Sequence, residues 1–162
     1  FAMGRWAAGT VTSSTGAQTL TGTDNRAYHY LAVNAPAAFP VSGTKACDSG
    51  VFTAPTYVGG SASVANTGAA NGSASLSFGA GGAAIAGSVN VTVAGVSGSA
   101  SLNGTAATVS STAITGAYLS GGAGAAIQIG EAGTDAYNVA VAYSATLSSG
   151  ARYIGVAKFR CT

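Results

Sequence analysis

Charge is what this sequence has least of. Among its 162 residues, six are Lys or Arg, four are Asp or Glu and one is His. Charged side chains make up 6% of the chain, against about 25% in an ordinary soluble domain. The six basic residues, Arg5, Arg26, Lys45, Arg152, Lys158 and Arg160, are dispersed. They are too few to neutralise a row of phosphates, which argues against nucleic acid as a partner. Long apolar runs are also lacking. Mean hydropathy is positive, but it comes from scattered Ala and Val. No stretch approaches the ~18 consecutive apolar residues of a membrane helix, so no transmembrane span is expected.

The same scarcity limits chemistry. The single histidine, His29, stands on a strand between Tyr28 and Tyr30. No Gly-x-Ser-x-Gly nucleophile turn accompanies it, and Gly95-Val96-Ser97-Gly98 does not fit that pattern. A structural histidine with a hydrogen bond is the expected role. The four carboxylates are Asp24, Asp48, Glu131 and Asp135. They offer no evident glycosidase pair. Glu131 and Asp135 share a loop, but two carboxylates are few for calcium. Two Cys, one His and no Cys-x-x-Cys spacing do not make a zinc site. Gly79–82 and 121–124 read as turns, because no helix and no Lys-Ser/Thr follow them. Sequons at Asn71, Asn90 and Asn103 carry meaning only in a eukaryotic secretory setting. No enzyme activity, cofactor or metal is expected.

What remains is rich in Gly, Ala, Ser and Thr, with 25 glycines. Period-two alternation recurs and no 3.6-residue apolar stripe survives. The final stretch, residues 152–162, is the anchor of this reading. Tyr153, Gly155, Ala157, Phe159 and Cys161 fall on one face; Ile154, Val156, Lys158, Arg160 and Thr162 fall on the other. Residues 136–144 alternate most clearly, with Tyr137, Val139, Val141 and Tyr143 against Asn138, Ala140, Ala142 and Ser144. Further strands are expected over residues 5–12, 27–33, 42–53, 73–78, 84–93, 97–103 and 125–129. Residues 106–119 read as one long or bent strand. Residues 14–25 read as a loop, 34–41 as a connection broken by Pro36 and Pro40, and 59–72 as a long connection or weak edge. Asn103-Gly104 signals a hairpin turn. Trp6 is expected as a core or barrel-end anchor.

About nine or ten short strands with regular turns mean an all-β domain over 1–162. The expected architecture is an antiparallel up-and-down β-barrel of about eight to ten strands, or a flattened barrel or sandwich. Residues 152–162 would pair back toward the N-terminal strand to close it. The composition looks exported, and exported proteins keep disulfides, so Cys47 is expected to pair with Cys161. No signal peptide is visible, and the chain reads as a processed or partial one.

Several short stretches resemble a known family. They are Trp6-Ala7-Ala8-Gly9-Thr10-Val11, Tyr28-His29-Tyr30-Leu31, Pro40-Val41-Ser42-Gly43-Thr44 and residues 72–81, Gly-Ser-Ala-Ser-Leu-Ser-Phe-Gly-Ala-Gly. In this order they resemble the C-terminal β-barrel region of bacterial FecR-domain proteins. That region is in turn similar to the eight-stranded barrel of transferrin-binding-protein-like surface lipoproteins. At residues 127–135 the aromatic pair and proline of the family's last segment are missing. The resemblance implies a Gram-negative bacterium and an extracellular or outer cell-surface location, and it supplies no catalytic residues.

Two functions follow as expectations. A charge-poor surface has little protection against self-association. One reading is therefore a non-enzymatic structural protein that self-assembles, as homo-oligomer or homopolymer, into a filament or surface layer. Its candidate contact residues are Phe1, Met3, Trp6, Lys158 and Arg160, with residues 1–11 adding as a strand to a neighbour's open edge. Deleting residues 1–4 should then abolish assembly and leave the fold intact. The other reading is a monomeric surface binding module presenting Trp6, Tyr28, Tyr30, Tyr57 and Tyr118 to an unknown ligand.

Overall fold

A computed structural model describes residues 1–23, 25–60 and 67–162. Asp24 and the middle of the expected 59–72 connection lie outside the described residues. Among the described residues the regular elements are strands, apart from one 3₁₀ turn at Tyr118–Ser120. The N-terminal part holds β1 (Ala2–Trp6), β2 (Ala8–Ser13), β3 (Gly16–Thr21) and β4 (Tyr28–Ala32). A middle segment holds β5 (Gly43–Ala46), β6 (Val51–Phe52) and β7 (Thr56–Gly60). Long strands follow: β8 (Ala69–Gly79), β9 (Gly82–Val93), β10 (Val96–Ser101) and β11 (Gly104–Ala106). The chain ends with β12 (Ala113–Gly116), β13 (Gly124–Glu131), β14 (Tyr137–Thr146) and β15 (Ala151–Cys161).

From β8 onward the chain is an antiparallel meander split over two sheets. One sheet runs β10-β9-β8-β5, with β11 also on β9. The other runs β12-β13-β14-β15-β6, with β7 also on β15. The sheets face each other across one apolar core that takes Leu76, Ile85, Val89 and Val91 from the first and Ile127, Ile129, Val139 and Phe159 from the second. The Phe78 and Tyr137 rings meet across the gap with centroids 4.8 Å apart. Each such side chain contributes about 1.5–3 kcal/mol by leaving water. The inward faces are the ones the alternation marks: Tyr137, Val139, Val141 and Tyr143 on β14, and Tyr153, Ala157, Phe159 and Cys161 on β15.

One seam between the sheets is stitched by backbone. Residues 43–60 leave β8 and cross to β15, where Ala46 and Thr162 exchange two N–H···O bonds of 3.2 and 2.9 Å. The Cys47–Cys161 disulfide lies at this crossing, as expected. The opposite seam is open. Thr115 donates its hydroxyl to Ser101 O and Ser148 donates its N–H to Ser97 O, but no ladder joins β10 to β12. Gly98 lets the Thr146 backbone approach β10 at close range, so the edge meets a strand end and not a strand flank. Among the described residues no closed barrel is formed, and the flattened two-sheet arrangement stands in its place. The pairing expected of the last strand is corrected as well. Both edges of β15 are taken, by β14 on one side and by β6 and β7 on the other, and β1 pairs with β4.

Three further readings change. Residues 5–12 are two strands broken at Ala7, and the expected loop 14–25 contains β3, a hairpin partner of β2. A turn in which Thr15 N–H bonds Ser13 Oγ opens that hairpin, and β-branched Thr19 and Thr21 suit the strand that follows. Residues 106–119 split between β11, a turn and β12. Asn103-Gly104 makes no hairpin, since β10 and β11 pair with β9 in one continuous register. The Asn103 side-chain oxygen accepts the Gly87 N–H at 3.1 Å and carries the ladder through. A side chain here does the work of a backbone carbonyl, which turn statistics do not anticipate.

The β1–β4 pair lies over the outer face of β13, β14 and β15. Val33 packs directly on Gly130, and Glu131 N–H bonds Asn34 O at 2.8 Å. Three of the even-numbered residues of β14, outward by their alternation, are buried too, Asn138, Ala140 and Ser144, while Ala142 is half-buried and Thr146 exposed. Residues 1–4 belong to this cover, so deleting them would bear on the layer over β15 as well as on any assembly through β1.

Candidate functional site

The inward side of the β1–β4 layer carries Met3, Arg5, His29 and Leu31, paired Met3 with Leu31 and Arg5 with His29. His29 and Arg5 reach the segment that runs along β15. His29 Nδ1 lies 2.9 Å from Thr53 Oγ1, and Nε2 lies 2.9 Å from Thr56 Oγ1. Arg5 Nε donates to the same Thr56 oxygen at 3.2 Å, and its Nη2 donates to Asn25 Oδ1 at 2.6 Å. Thr53 in turn donates to Val156 O and accepts from Val156 N–H.

One proton arrangement satisfies every member. Thr56 accepts from Arg5, so its hydroxyl hydrogen goes to His29 Nε2. His29 is then neutral with its proton on Nδ1, donated to Thr53. A second proton on Nε2 would leave the Thr56 hydroxyl hydrogen without this acceptor and would face the Arg5 charge. Accordingly the imidazole is held well below its usual range, at about 4, first by burial and then by Arg5. A neutral histidine locked between two threonines is a clasp. Sequence reading expected a structural His29 but missed Thr53, Thr56 and Asn25, because isolated threonines in a Thr-rich chain carry no signal.

The five candidate contact residues divide. Phe1, Lys158 and Arg160 come together at one end of the layer. Here a cleft of about 480 Å³ opens between β1 and the outer face of the sheet, lined also by Asn34, Glu131 and Asn138. The Lys158 ammonium lies 4.9 Å from the centre of the Phe1 ring. Arg160 is exposed, whereas Lys158 retains only 7% exposure. Met3 stands half-buried on the inward side of β1. Trp6 is at the other end of β1 and on its outward side.

Trp6 is no core anchor: it is 49% exposed. It forms a row with Tyr28, its cross-strand partner, and Tyr30, both also exposed. The rings are held in place. Trp6 Nε1 donates to Ala8 O at 2.6 Å, and the Tyr28 hydroxyl donates to Gln18 Oε1. Tyr30 lies flat across Gly4, where any side chain would collide with its ring. Tyr57 instead packs edge-on against Tyr153, and Tyr118 sits half-exposed in the 3₁₀ turn. In the loop after β13, the Asp135 carboxylate is engaged by Lys45 at 2.6 Å. No group of three or more His, Cys, Asp or Glu side chains gathers among the described residues. No helix among them is long and apolar enough to cross a membrane. Compared with known proteins, the chain matches no family model, no curated protein and no solved structure.

Proposed function

We propose that this chain is a non-enzymatic structural protein of the bacterial cell surface or extracellular space, and that it assembles with copies of itself. The observation that carries this reading is the N-terminal part. Among the described residues, β1–β4 and β2–β3 are two-stranded sheets with no third strand on either edge. Open edges offer unpaired N–H and C=O groups, and soluble proteins normally guard them with charge. Here β2 presents Ala, Gly, Thr, Val and Ser, nearly all exposed and none charged. The Cys47–Cys161 disulfide accords with an oxidising, exported setting. The clasped, neutral His29 supports a structural rather than a hydrolytic role.

The test is assembly followed by light scattering and electron microscopy across concentration. Wild-type protein is expected to form higher assemblies. The variant Ala2→Lys/Thr10→Lys/Thr12→Lys, which charges two exposed edges without touching the core, is expected to stay monomeric with an unchanged circular dichroism spectrum. A wild-type protein that is monomeric at every concentration and salt level overturns the reading. A second reading, a monomeric binding module, is favoured by one observation: the pinned and exposed Trp6–Tyr28–Tyr30 row.

A further inference from the structure

Lys158 is the one charged side chain buried among the described residues. A lysine so covered ordinarily has a carboxylate partner, because an uncompensated charge out of water is costly. Among the described residues none is in place: their ion pair is Lys45–Asp135, and no described carboxylate lies within 4.0 Å of Lys158 or Arg160. The Phe1 ring gives the ammonium a cation–π contact, which is weaker than the hydration it replaces.

Three features make this more than a stray lysine. Lys158 and Arg160 are two residues apart on one strand, so both rise from the outer face of β15 into the same cleft. Asn138, directly across from Arg160 in the ladder, lines the floor with an amide fixed by its bond to Glu131 O at 3.0 Å. The β1–β4 layer forms a wall, so the cleft is shielded rather than flat. Two cations and an amide converging on a sheltered space are the groups that recognise a carboxylate or a phosphate. We infer that the cleft between Phe1, Lys158 and Arg160 is a binding site for a compact oxyanion. Glu131 at its rim opposes a second negative charge and favours a small ligand. The inference does not rest on self-assembly: although β1 borders the cleft, the observations that carry the inference are the buried Lys158 with Arg160 and Asn138 on the sheet face, not an open strand edge.

The experiment titrates the protein with inorganic phosphate and, separately, with glucuronate, at ionic strength held constant with NaCl, by calorimetry and by thermal melting. Saturable binding of at least one is expected, and the stronger of the two identifies the source of the oxyanion. Arg160→Gln is expected to weaken it about 10-fold, the loss of one charge-assisted hydrogen bond. Lys158→Met is expected to abolish it and to raise the melting midpoint in anion-free buffer, since an uncompensated charge has been removed. Glu131→Gln is expected to tighten it. The inference is overturned if neither probe binds saturably, if Arg160→Gln and Lys158→Met bind as wild type does, or if Glu131→Gln weakens binding, which would mean that Glu131 holds the bound molecule instead of opposing an anion. Should Lys158→Met fail to fold, the exposed Arg160→Gln and Glu131→Gln variants still decide.

Discussion

The two facing sheets and the β1–β4 layer share a period-two sequence pattern, but they are held by different forces. Between the sheets lie Leu76, Ile85, Val89, Ile127, Val139 and Phe159, with little polar chemistry. Under the layer lie Arg5, His29, Thr53, Thr56 and Asn25, joined by hydrogen bonds. Apolar burial is non-directional and tolerates salt and pH. The clasp is directional and works only while His29 is neutral. The molecule thus joins a robust sandwich to an N-terminal layer that pH can loosen.

The largest effect should come from cutting the stitched seam of the sandwich. The disulfide spans 114 residues of sequence. Loop-closure entropy puts the stabilisation from a crosslink of that span at about 5 kcal/mol. Cys47→Ala/Cys161→Ala should lose roughly that amount in guanidinium unfolding, and reduction of the wild type should lose the same. A loss below about 1 kcal/mol would mean that the crosslink hardly restricts the unfolded chain, and the seam would then not be the place where the sandwich is most easily weakened.

A smaller effect tests the clasp. Because the folded pKa of His29, about 4, lies below the unfolded value of 6.5, the folded state binds the proton less well. The stabilisation is therefore fully present above about pH 6.5 and is lost as pH falls toward 4. With the ring partly open to solvent, it amounts on the order of 1–2 kcal/mol. His29→Gln should flatten the stability profile between pH 6.5 and 4. If the profile keeps its slope, the carboxylates and not His29 set it. Hydrogen exchange at pH 4 should show β1 and β4 opening while β14 stays protected; simultaneous opening would remove the distinction between the two regions.

This contrast also explains what could be read from the residues. The second half was legible because alternation with bulky residues reports a buried face directly, as in Tyr137, Val139, Val141 and Tyr143. The disulfide followed from two cysteines in an exported-looking chain. The layer was illegible in its placement. Nothing in the pattern of β14 says that Asn138, Ala140 and Ser144 will be covered by a second strand pair, because small residues serve equally under a roof or in water. Likewise β3 hid in a Ser/Thr/Gly-rich stretch whose composition matches both loops and exposed strands. The convergence of Lys158 with Phe1 depends on where β1 docks, a long-range fact that local periodicity does not contain.

The smallest predicted effect has the opposite sign and belongs to the sandwich. Tyr143 is buried at the centre of β14, and its hydroxyl has no hydrogen-bond partner among the described residues. Burial alone raises its ionisation well above the usual tyrosine range, so the group stays neutral and gains nothing from charge. A buried donor without an acceptor costs about 1–3 kcal/mol, part of which the ring recovers by filling space. Tyr143→Phe keeps the ring and removes the orphan. It should raise stability by about 1 kcal/mol in guanidinium unfolding, with an unchanged denaturant slope. The corresponding removal in the layer, Thr56→Val, should lower stability by a similar amount, because that hydroxyl serves both Arg5 and His29. If both changes move stability in the same direction, the division between an apolar sandwich and a polar clasp is wrong. Opposite signs from two single-hydroxyl deletions would show that polar groups weaken one region and hold the other.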